Sequence, residues 1–138
     1  MPESGAATYR LGMATATLGA SGYTTIVQSG GHRLVADEPV SSGGADGGPT
    51  PLGMLLGALA SCTAITLRMY AERRDWPLTG VVVETGYTAD GSTGRVRRVI
   101  RLDGDLDADQ RSRLADVAER TPVTRIVREG REISTTLR

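Results

Sequence analysis

Thr50-Pro-Leu-Gly-Met-Leu-Leu-Gly-Ala-Leu-Ala-Ser-Cys62-Thr-Ala-Ile-Thr-Leu-Arg68-Met-Tyr-Ala-Glu-Arg-Arg74 is the stretch around which the rest of the chain is organised. Thr50 is a good N-cap, and Pro51 suits the first helical position, where its missing N–H would be unpaired anyway. A helix therefore starts here and can run for about 24 residues, roughly 35 Å, until Asp75-Trp76-Pro77 forbids continuation. Leu52, Met54, Leu55, Leu56, Leu59, Cys62, Ile65 and Leu67 leave no polar face over the first four turns. The pattern predicts a helix covered by protein on all sides rather than one lying on a surface. A membrane span is the competing reading. The apolar run from Leu52 to Leu67 is interrupted by Gly, Ser and Thr and ends at Arg68, which reads as short of the roughly 20 residues a bilayer needs.

The 138 residues suggest one domain, 1–138, with aliphatic side chains filling its core, since Phe is absent and there is a single Trp. Sixteen basic and sixteen acidic residues cancel, so no net field recruits nucleic acid or anionic lipid. One Cys and one His exclude an internal disulfide and disfavour a zinc site, and no motif calls for a metal or cofactor. Residues 1–5 are polar and resemble no secretory leader, so a cytoplasmic protein is expected, with residues 1–7 a flexible terminus.

Ahead of the helix, residues 9–17, 23–28 and 32–36 have the β-branched content of strands, joined by Gly-containing turns into an antiparallel meander. Residues 37–49 form a Gly-rich connector expected to lack regular structure, a flexible link or lid; it lacks the Gly-Lys-Ser/Thr of a phosphate-binding loop. Beyond the helix, 78–87 and 95–102 read as strands. The second alternates imperfectly, with Arg97 and Val99 against Arg98 and Ile100. Acidic residues from Asp105 open another helix running to about Arg120, with Leu106, Leu114, Val117 and Ala118 on one face. Pro122 forces a restart and a short helical turn to about Val127, and 132–137 reads as a last strand. The order is three strands, a helix, two strands, two helices and a strand, an α+β fold.

Three stretches, 31–39, 48–71 and 103–114 leading into Thr121-Pro122-Val123, resemble the OsmC/Ohr family of thiol-dependent hydroperoxide-detoxifying proteins. The resemblance implies an OsmC-like β3-α-β2-α2-β chain that forms an intertwined homodimer, the long helices packed in its core and the active sites at the subunit interface. It also implies that Cys62 holds the position of the peroxidatic Cys, which attacks a hydroperoxide to give a sulfenic acid. The family's second, resolving Cys lies in a Cys-Pro-Val-His pattern that here reads Thr121-Pro122-Val123-Thr124. The family's activating Arg and Glu are also missing, from residues 18–23 and from Leu52-Gly53.

A free thiol has a pKa near 8.5 and is nucleophilic as the thiolate. The neighbours of Cys62 on its own helix, Ala58, Leu59, Ile65 and Thr66, carry no positive charge, and Arg68 lies about 240° further round. Activation would have to come from Arg10, Arg33 or Arg125. Two functions follow. In one, Cys62 is the catalytic thiol of a one-Cys peroxidase that uses a small thiol or redox protein as reductant. In the other, a non-enzymatic member keeps an interfacial pocket for a small apolar ligand, lined by Met54, Met69, Tyr70 and Thr121, with Trp76 and Arg125 nearby. A buried Cys62 that merely packs is the plain alternative to both.

Overall fold

The computed structural model describes residues 11–138. The expected flexible terminus and Arg10 lie outside the described residues. The chain divides into two compact units, one ending at Met54 and one spanning Leu55–Arg138.

In the first unit, β1 (Thr15–Leu18), β2 (Thr25–Ser29) and β3 (His32–Ala36) form the expected antiparallel meander in the order β1-β2-β3. The connector that follows is more ordered than its composition predicts: a 3-10 turn spans Val40–Ser42, and the carboxylate of Asp37 gathers the loop. Asp37 Oδ1 accepts from the Glu38 amide at 2.7 Å, and Oδ2 accepts from the Gly47 amide at 3.1 Å and from Thr24 Oγ1 at 2.7 Å. The Thr24 hydrogen bond, helped by the loop amides against the opposing effect of burial, holds this carboxyl below its ordinary range. The glycines serve close packing: a Cβ at Gly44 would strike the Glu38 carbonyl, and one at Gly48 the Val35 carbonyl. A lid would need slack that this loop does not have.

Helix α1 (Pro51–Arg73) begins as expected, with Thr50 Oγ1 accepting from the Gly53 amide at 3.0 Å. It ends in a Schellman arrangement: Asp75 takes φ 53°, the Asp75 amide donates to Glu72 O at 3.2 Å, and the Trp76 amide donates to Ala71 O at 2.9 Å. Pro77 then prevents regrowth. As formed, the helix is long and apolar enough to cross a membrane by length and composition alone, a test that the core helix of a soluble protein also passes.

In the second unit, β4 (Leu78–Asp90) and β5 (Thr93–Gly104) form a long antiparallel ribbon closed by a two-residue turn, tighter than the loop expected over 88–94. Gly91 supplies the positive φ that such a turn requires. The inner face of β5 presents Val96, Arg98, Ile100 and Leu102, while its Arg95, Arg97, Val99 and Arg101 are exposed. Helix α2 (Ala108–Ala118) opens on a reciprocal capping box between Asp107 and Gln110. Helix α3 (Pro122–Glu129) is capped by Thr121 with Pro at its first turn. Leu67 and Ala71 of α1, Leu78, Leu106, and Leu114, Val117 and Ala118 of α2 make the core, flanked by Val81, Ile100 and Leu102 of the ribbon.

Two expectations change. Within the chain, α1 is buried only along Leu59, Thr63, Leu67 and Ala71, a stripe with the four-residue spacing of one helix face. Leu55, Ile65 and Met69 are exposed, so the described residues alone do not wrap the apolar helix. Residues 131–138 form no strand, and Ile133 and Leu137 are 87% and 97% exposed. A strand exists only through hydrogen bonds to a neighbour, and this segment has no backbone pairing among the described residues. The mixed α+β class stands, without the last strand.

Candidate functional site

Cys62 and Thr63 are adjacent on α1 but belong to different surroundings. Cys62 is half-buried and makes no hydrogen bond among the described residues. One heptad away in each direction, on the same stripe of the helix, lie Leu55 and Met69, both half-exposed. The thiol therefore belongs to the uncovered apolar side of α1.

Thr63, about 100° further round the helix, is fully buried, donating to Leu59 O at 2.7 Å and accepting from Arg98 at 3.0 Å. Arg98 is the centre of a polar corner that joins α1, β5, α2 and α3. One guanidinium nitrogen donates to Thr63 Oγ1 and to Thr124 Oγ1 at 2.8 Å; the other donates to Ala118 O at 3.0 Å and lies 3.6 Å from the Glu119 carboxylate. Thr121 and Thr124 share a hydrogen bond at 2.6 Å. No buried side-chain polar atom is left unpaired among the described residues. The arrangement places a fixed cation against the negative end of α2, where the last carbonyls lack helical partners.

Arg128 closes the outer side, donating to Glu119 O at 3.0 Å and pairing with the Glu119 carboxylate. The hydrogen bond from Arg128 and the charges of Arg128 and Arg98 hold the Glu119 carboxyl below its usual range, against the smaller opposing effect of burial. A cavity of about 380 Å3 opens beside this corner, lined by Leu59, Val96, Thr124 and Val127 with Arg98, Glu119 and Arg128. Cys62 is not among its lining residues.

The residues expected to line an interfacial pocket with Cys62 have the following places within the single chain. Thr121 is fully buried in the Arg98 corner and caps α3. Tyr70 stacks edge-on with Trp76, centroids 5.7 Å apart, and carries the Arg74 guanidinium 3.6 Å above its ring, at the far end of α1. Met69 is exposed and Met54 half-buried. Arg125 and Arg33 are exposed, and no hydrogen bond links either to Cys62 among the described residues. Arg68 turns away from the thiol, as its spacing predicts, and donates to Leu78 O. Sequence reading overlooked Arg98. Its signal was present, an Arg at an inward position of a strand whose alternate neighbours Val96, Ile100 and Leu102 are apolar.

Three features define the class: a meander, a long apolar helix carrying one thiol, and a ribbon closed by two short helices. They are those of a small thiol-bearing α+β domain built on a central helix. The family of OsmC-like proteins matches residues 43–136, and the chain belongs to it. No curated protein matches. Among solved structures, an OsmC-like protein from Mycoplasma pneumoniae superposes with a TM-score of 0.74 at 16% identity, over 89% of this chain and 91% of that one. The organic hydroperoxide resistance protein OsmC from Legionella pneumophila gives a TM-score of 0.63 at 21% identity, over 89% and 92% of the two chains. The organic hydroperoxide resistance protein OhrB of Bacillus subtilis gives 0.61 at 17%, over 88% and 93%. At these identities the likeness establishes the fold.

Proposed function

We propose that the chain is a cytoplasmic, homodimeric OsmC-like protein of the organic-hydroperoxide detoxification type, with Cys62 as its single reacting thiol. The observation that carries this reading is the position of Cys62: half-buried on the central helix of an OsmC-like fold, on the side of that helix which the chain leaves uncovered. Neighbours of the same fold named for organic hydroperoxide resistance support it.

The chemistry is that of a one-Cys peroxidase. The Cys62 thiolate attacks the terminal peroxide oxygen; an S–O bond forms, the O–O bond breaks, and the departing alkoxide takes a proton to leave as the alcohol. The family's capture step by a second Cys has no counterpart, because Thr121 brings a hydroxyl to that position and no other Cys exists. The sulfenic acid is instead condensed by an external thiol, releasing water. A second external thiol then frees Cys62 and leaves as the disulfide. Purified protein should consume an organic hydroperoxide in the presence of a thiol donor, and Cys62→Ser should abolish turnover; absence of turnover with every donor would refute the reading.

A second reading has its own support, since no side chain hydrogen-bonds the thiol among the described residues. In it the fold is retained for holding a small apolar ligand against the uncovered side of α1. Ligand retained equally by wild type and Cys62→Ser, with no peroxide consumption by either, would select it.

A further inference from the structure

The cavity beside Arg98 has a composition that the thiol chemistry does not use. Arg98, whose side chain is 12% exposed, is held by Thr63, Thr124 and Ala118 O, so its guanidinium cannot move to follow a ligand. Arg128 and Glu119 form the lip, paired with each other and each with a side chain 57% exposed. Leu59, Val96 and Val127 supply apolar wall. Two guanidinium groups converge on one carboxylate, and that carboxylate faces solvent. At about 380 Å3 the cavity falls near the lower end of the range for small-molecule sites, about 300–1,000 Å3.

We propose that this cleft is a binding site for a small monocarboxylate with an aliphatic tail, in which the ligand's carboxylate takes the place Glu119 holds between Arg98 and Arg128 and the tail lies on Leu59, Val96 and Val127. Glu119 demonstrates that a carboxylate fits between the two guanidinium groups, and planar two-oxygen anions match the guanidinium fork. Charge decides between a carboxylate and a phosphate monoester. With Glu119 displaced but still nearby, two positive charges face one negative charge, so one further negative charge balances the cleft and two overload it. The apolar walls reject a purely polar anion such as acetate, because binding it would desolvate aliphatic surface without covering it.

The test is a titration of the full-length protein followed by the methyl NMR signals of Leu59, Val96 and Val127, with sodium octanoate, 1-octanol and octyl phosphate as probes. Octanoate should shift those three methyl sets and bind about tenfold more tightly than octanol, the worth of one charge-assisted contact. Glu119→Gln removes the resident competitor's charge and should tighten octanoate several-fold, whereas Arg128→Gln should weaken it about tenfold. Both positions are exposed, so folding is not at stake; Arg98 is left intact because it holds the corner together. Equal affinity for octanoate and octanol, tighter binding of octyl phosphate, shifts confined to other methyls, or an unchanged or weakened response in Glu119→Gln would each overturn the assignment.

Discussion

Thr63 and Cys62 are consecutive residues on one helix, and they show how differently the two sides of α1 are used. On the Thr63 side every polar group is matched: Arg98 bonds Thr63, Thr124 and Ala118 O, and Thr121 bonds Thr124. On the Cys62 side an apolar stripe, Leu55, Ile65 and Met69, is left half-exposed, and the thiol has no hydrogen-bond partner among the described residues. Arg98 is thus committed to holding three helices and a strand together. Rigidity is built on one side, and the other side is left for whatever the chain meets.

The sharpest way to break this contrast is to remove Arg98. Arg98→Ala strands Thr63, Thr124 and the α2 carbonyls in a buried corner and should cost roughly 3–5 kcal/mol, read by chemical denaturation. Arg98→Lys should recover only part of it, because an ammonium cannot reach the same acceptors in a planar fork. Next in size is Leu67→Ala on the buried stripe, expected to cost about 2–5 kcal/mol through lost burial and the cavity left behind. Thr121→Ala loses the α3 cap and its bond to Thr124, about 1 kcal/mol, while Thr121→Ser should be close to neutral. On the other side, Ile65→Arg should change the stability of an isolated chain by less than about 0.5 kcal/mol. If a second copy covers the stripe, the same substitution should convert a dimer to a monomer in light scattering. A dimer unaffected by Ile65→Arg would place the subunit contact elsewhere.

The smallest effect concerns pH and the first unit. The folded-state pKa of Asp37 is lowered, so its contribution to stability is fully present above the ordinary carboxyl pKa of about 3.9 and is lost as pH falls through the lower folded value. The stability difference between wild type and Asp37→Asn should therefore be constant from neutral pH down to about 4 and shrink below it. A difference that persists undiminished at pH 2 would mean that Asp37 acts through shape rather than charge.

Much of this architecture is legible in the residues. Thr50-Pro51 and Asp75-Trp76-Pro77 mark both ends of α1, Asp107 with Gln110 opens α2, and Thr121-Pro122 restarts the chain as α3, because caps and prolines act within a turn of where they stand. The inner face of α2, Leu114, Val117 and Ala118, follows from helical period alone. The connector is harder to read: its glycines suggest slack, whereas the Asp37 carboxylate and close backbone approaches fix it, and neither leaves a local pattern.

The candidate site divides along the same line. Sequence by itself determined the central helix, its terminators, the single thiol and the absence of a second one, since these depend on local chemistry and on counting. Only the tertiary structure decided that Thr63 rather than Cys62 meets the buried guanidinium, that Thr121 and Arg98 share one corner, that Tyr70 and Trp76 pack together away from the thiol, and that residues 131–138 find no strand partner among the described residues. Those outcomes rest on contacts between segments tens of residues apart. A side chain's direction around a helix or across a strand is set by its period, but what it meets there is set by the fold.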